Sequence, residues 1–134
     1  MKTIALLLTT LLLASCASQP NNPENGELAP CPLFPGCAAA TWMPSGSQED
    51  AWLAVIDYAK ANASLTIVEQ TDDYLHVEAR TPTVGFVDDV QFRRKSDGNI
   101  AARSSSRLGI SDLGANRARL DRMVNAVPEI TATE

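Results

Sequence analysis

The sequence predicts an α+β domain, a four-stranded antiparallel sheet packed by one helix before it and one helix after it. Three observations carry this reading. A run with helical spacing of apolar residues extends from Ser47 to Asn62, four strand-like runs follow between Leu65 and Leu108, and a second helical run occupies Ser111 to Val127.

The chain opens on a processing signal. Lys2 gives a positive start, and Ile4 to Leu13 form a short apolar stretch interrupted by Thr9 and Thr10. This is too short for a spanning helix, which needs ~20 apolar residues. Leu13-Ala14-Ser15-Cys16 resembles the lipobox of bacterial lipoproteins, so residues 1–15 are expected to be a signal peptide and Cys16 the acylated N-terminus, carrying palmitate or a similar chain. The alternative is an ordinary secretory signal with an incidental cysteine. Lipid at Cys16 implies a membrane anchor without a transmembrane helix. The expected address is the cell envelope, facing the periplasm. Ala17 follows the cysteine where an aspartate would favour inner-membrane retention, which points to the outer membrane.

The remaining chain has room for one domain. Residues 16–27 read as a flexible tether, rich in Pro and Asn, and residues 28–134 as the folded unit with a cysteine-bearing N-terminal arm. Cys31 and Cys37 can close a small disulfide loop in an oxidising compartment. A metal site would need further ligands, and the sole histidine, His76, lies far away in sequence, so no metal is expected. Charge is uneven. Residues 93–122 carry eight Arg or Lys against three Asp, while the rest of the chain after the signal holds Lys60 and Arg80 against thirteen acids. Net charge is −5, which argues against duplex nucleic acid as a partner.

Ser47-Gln48-Glu49-Asp50 is close to a capping box, and Trp52, Val55, Ile56 and Ala59 make one apolar stripe of the first helix. The strand runs are Leu65–Glu69, Tyr74–Arg80, Phe86–Arg94 and Asn99–Leu108. In the second run Leu75, Val77 and Ala79 face the core, while His76 faces out as a solvated or cross-strand-paired residue with no catalytic role. Lys95-Ser96-Asp97-Gly98-Asn99 suits a type I turn with Gly98 as a left-handed bulge. That register pairs Phe92 with Ala102, Val90 with Ser104 and Asp88 with Ser106, gathering the apolar residues on one side. It also puts Asp88 on the core face and Asp89 outward with Gln91, near Arg103 and Arg107.

The last helix is expected to be capped by Ser111 or Asp112, to bury Leu113, Leu120, Val124 and Val127, and to stop at Pro128. In that register Asn116 and Arg117 point to the sheet, and Arg119 and Arg122 lie on the exposed flank. Asp88, Ser104, Ser106, Asn116 and Arg117 then form one polar cluster between sheet and helix, with Asp112 at the helix start. The cluster is either a hydrogen-bonded clasp or a small anion site with Arg117 as its fork. The outer pair Arg103 and Arg107 is the second candidate.

Catalysis finds little support. Ser104-Ser105-Ser106 lacks a partnered histidine and no Gly-x-Ser-x-Gly elbow exists; Asp88 and Asp89 project to opposite faces of a strand. No phosphate loop, dinucleotide fingerprint or other cofactor signature is present.

Phe86-Val87-Asp88-Asp89-Val90-Gln91-Phe92, Arg103-Ser104-Ser105-Ser106-Arg107-Leu108-Gly109 and Ser111-Asp112-Leu113-Gly114-Ala115-Asn116-Arg117-Ala118-Arg119 resemble the DUF1499 family of bacterial and plastid proteins. Cys31-Pro32 with Pro35 and Cys37 is similar to its N-terminal cysteine element. The likeness runs roughly from Leu28 to Val127 and departs at Phe34, Gly36 and the alanines after Cys37. The resemblance implies no activity. The expected function is a non-catalytic envelope lipoprotein that binds a partner protein or small anionic ligand through the Asp88–Arg117 region. The alternative is a hydrolase or transferase acting on an envelope glycan or lipid.

Overall fold

Ser47 starts the first helix as expected. In the computed structural model, which describes residues 25–33, 35–108 and 112–133, its hydroxyl accepts the Asp50 N–H at 3.0 Å and donates to the Asp50 carboxylate at 2.6 Å. Helix α1 (Gln48–Ala61) follows, with Trp52, Val55, Ile56 and Ala59 buried. The signal peptide, Cys16, the first part of the tether, Phe34, Gly109 and Ser111 lie outside the described residues.

The α+β class holds, but the sheet has six strands rather than four. Strands β1 (Cys37–Pro44), β2 (Leu65–Gln70), β3 (Tyr74–Arg80), β4 (Val87–Arg94), β5 (Ile100–Ser106) and β6 (Ile130–Ala132) form one antiparallel sheet in the order β2-β3-β4-β5-β1-β6. The later part of the expected arm, from Cys37 on, is thus an internal strand. β1 pairs Cys37 with Ser105 and Trp42 with Ile100, then gives its other edge to β6. Its residues alternate properly. Ala38 and Trp42 enter the core and Ala39 stays exposed on the far side.

The β4–β5 hairpin has the bulged register. Lys95 N–H donates to the Asn99 carbonyl at 2.9 Å, Gly98 has φ +90°, and the ladder pairs Phe92 with Ala102 and Asp88 with Ser106. Burial explains the choice, since Leu75, Val77, Val90, Phe92, Ile100 and Ala102 then share one core face. Trp42 completes it from β1, its ring 5.4 Å from that of Phe92.

Helix α2 (Ala115–Ala126) crosses the β5-β1-β6 half and buries Leu120 and Met123, with Val127 just beyond. Leu113, expected in this stripe, is 96% exposed. It precedes the helix, and with Gly114 it takes a left-handed backbone (φ +52° and +83°) that folds Asp112 back over the helix start. The Asp112 carboxylate accepts the N–H groups of Gly114 (3.0 Å) and Asn116 (2.8 Å), capping α2 from two residues outside the usual position. No helix among the described residues is long and apolar enough to cross a membrane.

Candidate functional site

Two polar clusters sit on opposite faces of the central strands. On the helix-covered face, Asp88 of β4 is buried and its Oδ2 accepts from Arg119 Nη2 at 2.7 Å. The same guanidinium donates through Nη1 to Ser104 Oγ and to Asn116 Oδ1, each at 2.8 Å. Ser104 Oγ also donates to Asn116 Oδ1 at 2.5 Å. Asn116 Nδ2 donates in turn to Gly36 O, Ser106 Oγ and Asp112 Oδ2 at 3.0, 2.9 and 2.6 Å. Asn116 is fully buried, and its side chain serves as the hub joining α2, β5 and the turn before β1. Burial raises the Asp112 pKa, but the Asn116 and Gly114 N–H groups outweigh it and hold the carboxyl below its ordinary value.

The cluster thus gathers Asp88, Ser104, Ser106, Asn116 and Asp112 as expected, but with a different arginine. Arg117 is exposed and donates to the Ala39 carbonyl at 2.9 Å; Arg119, expected on the solvent flank, is the buried partner. The geometry is helical. Asn116, Arg119, Leu120, Met123 and Val127 fall on one stripe, and Arg117 stands about 100° away from Asn116. A buried carboxylate requires such a cation, since breaking a buried pair costs about 3–5 kcal/mol.

The opposite face holds a second network. Asp89 is 3% exposed, and Arg107 grips it with two bonds, Nε to Oδ2 at 2.8 Å and Nη2 to Oδ1 at 2.7 Å. His76 Nε2 meets Oδ1 at 2.8 Å, and Arg107 Nη2 also reaches Glu78 Oε1 at 2.5 Å. Burial would raise the Asp89 pKa, but the hydrogen bonds from Arg107 and His76 outweigh it and hold the carboxyl at about 2. His76, expected outward and solvated or cross-strand-paired, is therefore buried and paired. Beside this lies a hydrogen-bonded chain without a carboxylate. Gln91 Nε2 donates to Tyr74 Oη at 2.6 Å, and Arg103 Nη1 donates to Gln91 Oε1 (3.3 Å) and Ser105 Oγ (2.8 Å).

Arg103 differs from the other arginines of this face. Arg107 binds Asp89 and Glu78, and Arg93 binds Asp73 at 2.9 Å and lies over the Tyr74 ring; Arg94, on the opposite face across from Ile100, binds Glu49 at 2.7 Å. Arg103 has no carboxylate partner among the described residues, and its Nε has no acceptor among them. Burial pushes its pKa below the ordinary arginine value.

Arg103 lines a groove of about 750 Å³ between the arm at residues 25–30 and the outer face of β1, β4 and β5. Arg93, Arg94 and Lys95 line it too, against Glu27 as its acidic residue. Its floor is low because Ala39, Thr41 and Ala101 carry small side chains. The arm is tied down by the Cys31–Cys37 disulfide, whose Cα atoms are 5.5 Å apart. A smaller cavity of about 220 Å³ adjoins the inner cluster between Phe86, Leu108 and Leu113. Asp88 and Asp112 both face it, which disfavours an anion there.

Residues 12–127 match the family model of DUF1499, a protein of unknown function. The chain belongs to the DUF1499 family. No curated protein matches it in sequence. Within this DUF1499 domain, Gly36 stands where the resemblance fails, yet its φ of +113° suits glycine and its carbonyl accepts both Ser106 N–H (2.8 Å) and Asn116 Nδ2. Among the described residues no group of three or more His, Cys, Asp or Glu could hold a metal ion.

Sequence reasoning missed Arg119, Gly36, and the closing of Tyr74, His76, Asp89 and Gln91 into a buried layer. Arg119 was within reach, three residues after Asn116 and four before Met123. The layer gave no comparable signal, since alternating polar residues on a strand read as solvent-facing.

Proposed function

We propose that this DUF1499 protein is a non-catalytic ligand-binding lipoprotein of the bacterial cell envelope, anchored by an acyl chain at Cys16 and facing the periplasm. Its ligand is a small anion-bearing molecule seated in the groove beside Arg103. The observation that supports this most directly is the state of Arg103 itself. A partly buried guanidinium with no carboxylate partner among the described residues, at the wall of a 750 Å³ groove, is a charge awaiting a counter-charge.

The inner cluster supports the same reading by being occupied. Asn116 uses both side-chain atoms internally, and Asp88 is matched to Arg119, which leaves a clasp rather than a vacancy. A hydrolase or transferase would need a base poised near neutral pH. Asp89, held at about 2, is not such a base, and His76 is 3% exposed, which keeps its ring away from a substrate.

Two experiments test this. Isothermal titration of the mature chain with small anions should give saturable heat that Arg103→Ala abolishes, and equal heat from the variant would remove the groove from the account. Labelled palmitate should enter the chain in bacteria and fail to enter Cys16→Ala; an unlabelled wild type would remove the anchor.

A further inference from the structure

We infer that the groove takes an organic phosphate, supplied by the headgroups of the membrane to which the chain is tethered; this rests on reading the groove as an anion site. Three observations lead there. The first is charge. Arg93 stands opposite Ala101 in the β4–β5 ladder, and Arg103 lies two residues further along β5, so the two residues are diagonal neighbours on one face, the Arg93 head turning toward Tyr74 and Asp73. Such neighbours have Cβ atoms roughly 7–8 Å apart. Ala101 leaves the space beside them open, and Lys95 adds an ammonium at the hairpin turn. Asp73 balances Arg93, and Asp97 lies 3.3 Å from Lys95, while Arg103 keeps its charge. A guanidinium from β5 and an ammonium from the turn, reaching in from two directions, suit the several oxygens of a tetrahedral phosphate better than a planar carboxylate, which one arginine fork satisfies.

The second observation is size and lining. About 750 Å³ is far more than a bare ion fills, and Ala39, Ala101, Leu28 and Pro30 offer apolar surface next to the cations. The ligand therefore carries an organic body beside its charge. The third is position. Asn25, the first residue of the groove wall, follows Cys16 by nine residues. Fully extended, such a tether spans at most about 30 Å. With lipid at Cys16, the groove is confined to the headgroup layer and the water just above it.

Backbone amide NMR on the acylated mature chain in nonionic detergent, at low ionic strength, tests this with three soluble probes: glycerol 3-phosphate, inorganic phosphate and acetate. Glycerol 3-phosphate should shift the amides of Ala39, Ala101 and Arg103 and saturate at a concentration about tenfold below that of inorganic phosphate. Acetate should leave them unmoved. Acetate binding as tightly as the phosphates would overturn the phosphate assignment while leaving an anion groove. Equal affinity for inorganic phosphate would make free phosphate the ligand and overturn the headgroup assignment. If no probe moves these amides, the anion groove falls as well. Ala39→Leu fills the floor of the groove from an exposed position and keeps every cation. It should weaken glycerol 3-phosphate about tenfold and spare inorganic phosphate; unchanged glycerol 3-phosphate affinity would overturn the organic body.

Discussion

Arg119 meets Asp88 at 2.7 Å across the interface of α2 and the sheet, while Arg117, two residues earlier, reaches the Ala39 carbonyl. The two arginines should behave very differently when altered. Arg117 is exposed, so Arg117→Ala should change stability by less than about 1 kcal/mol. Asp88→Asn removes the counter-charge of a buried guanidinium and should cost about 3 kcal/mol or more. Urea unfolding of the two variants against wild type checks both.

Asn116 is the geometric centre of the inner cluster. Asn116→Asp preserves volume but replaces a donor to three acceptors with a second carboxylate, 2.6 Å from Asp112. The expected loss is about 3 kcal/mol or more, read from the unfolding midpoint.

How far this arrangement could be read from the chain differs by element. Helix α1 was legible because Ser47 and Asp50 cap a stripe whose residues all point one way. The β4–β5 register was legible because only one pairing buries Val90, Phe92, Ile100 and Ala102 together. Strand β1 was hidden because Ala38-Ala39-Ala40 has little strand propensity and follows a Pro- and Gly-containing segment. β6 was hidden by its three-residue length. The face of α2 was rotated by anchoring its stripe on Leu113 and Val124 in place of Met123, and that rotation exchanged Arg117 for Arg119. The groove was illegible throughout, since it needs β1 in the sheet and the arm over it.

Asp89 sets an acid limit on the fold. Its folded pKa of about 2 lies below the ordinary value, so its ion pair stabilises the protein above about pH 4 and is lost as pH falls through about 2. That contribution is on the order of 2 kcal/mol. Asp112 is shifted the same way, so the comparison must be with Asp89→Asn. Unfolding curves from about pH 6 to about pH 2 should fall more steeply for wild type than for this variant.

The disulfide couples stability to the groove. Closing the short loop between Cys31 and Cys37 is worth roughly 2 kcal/mol by loop entropy. The double variant Cys31→Ser/Cys37→Ser should lose about that much and should also weaken anion binding, because the arm that walls the groove is released. Titration of the variant under conditions where it remains folded separates the two effects.

Arg119 serves the fold through Asp88, whereas Arg103 is the residue proposed to bind the ligand. Urea unfolding of Arg119→Ala and Arg103→Ala, side by side, tests this division most directly. The predicted result is a loss of about 3–5 kcal/mol for Arg119→Ala and less than about 1 kcal/mol for Arg103→Ala. The reverse order would contradict it, making Arg103 the structural residue and leaving the inner cluster as the site to explain.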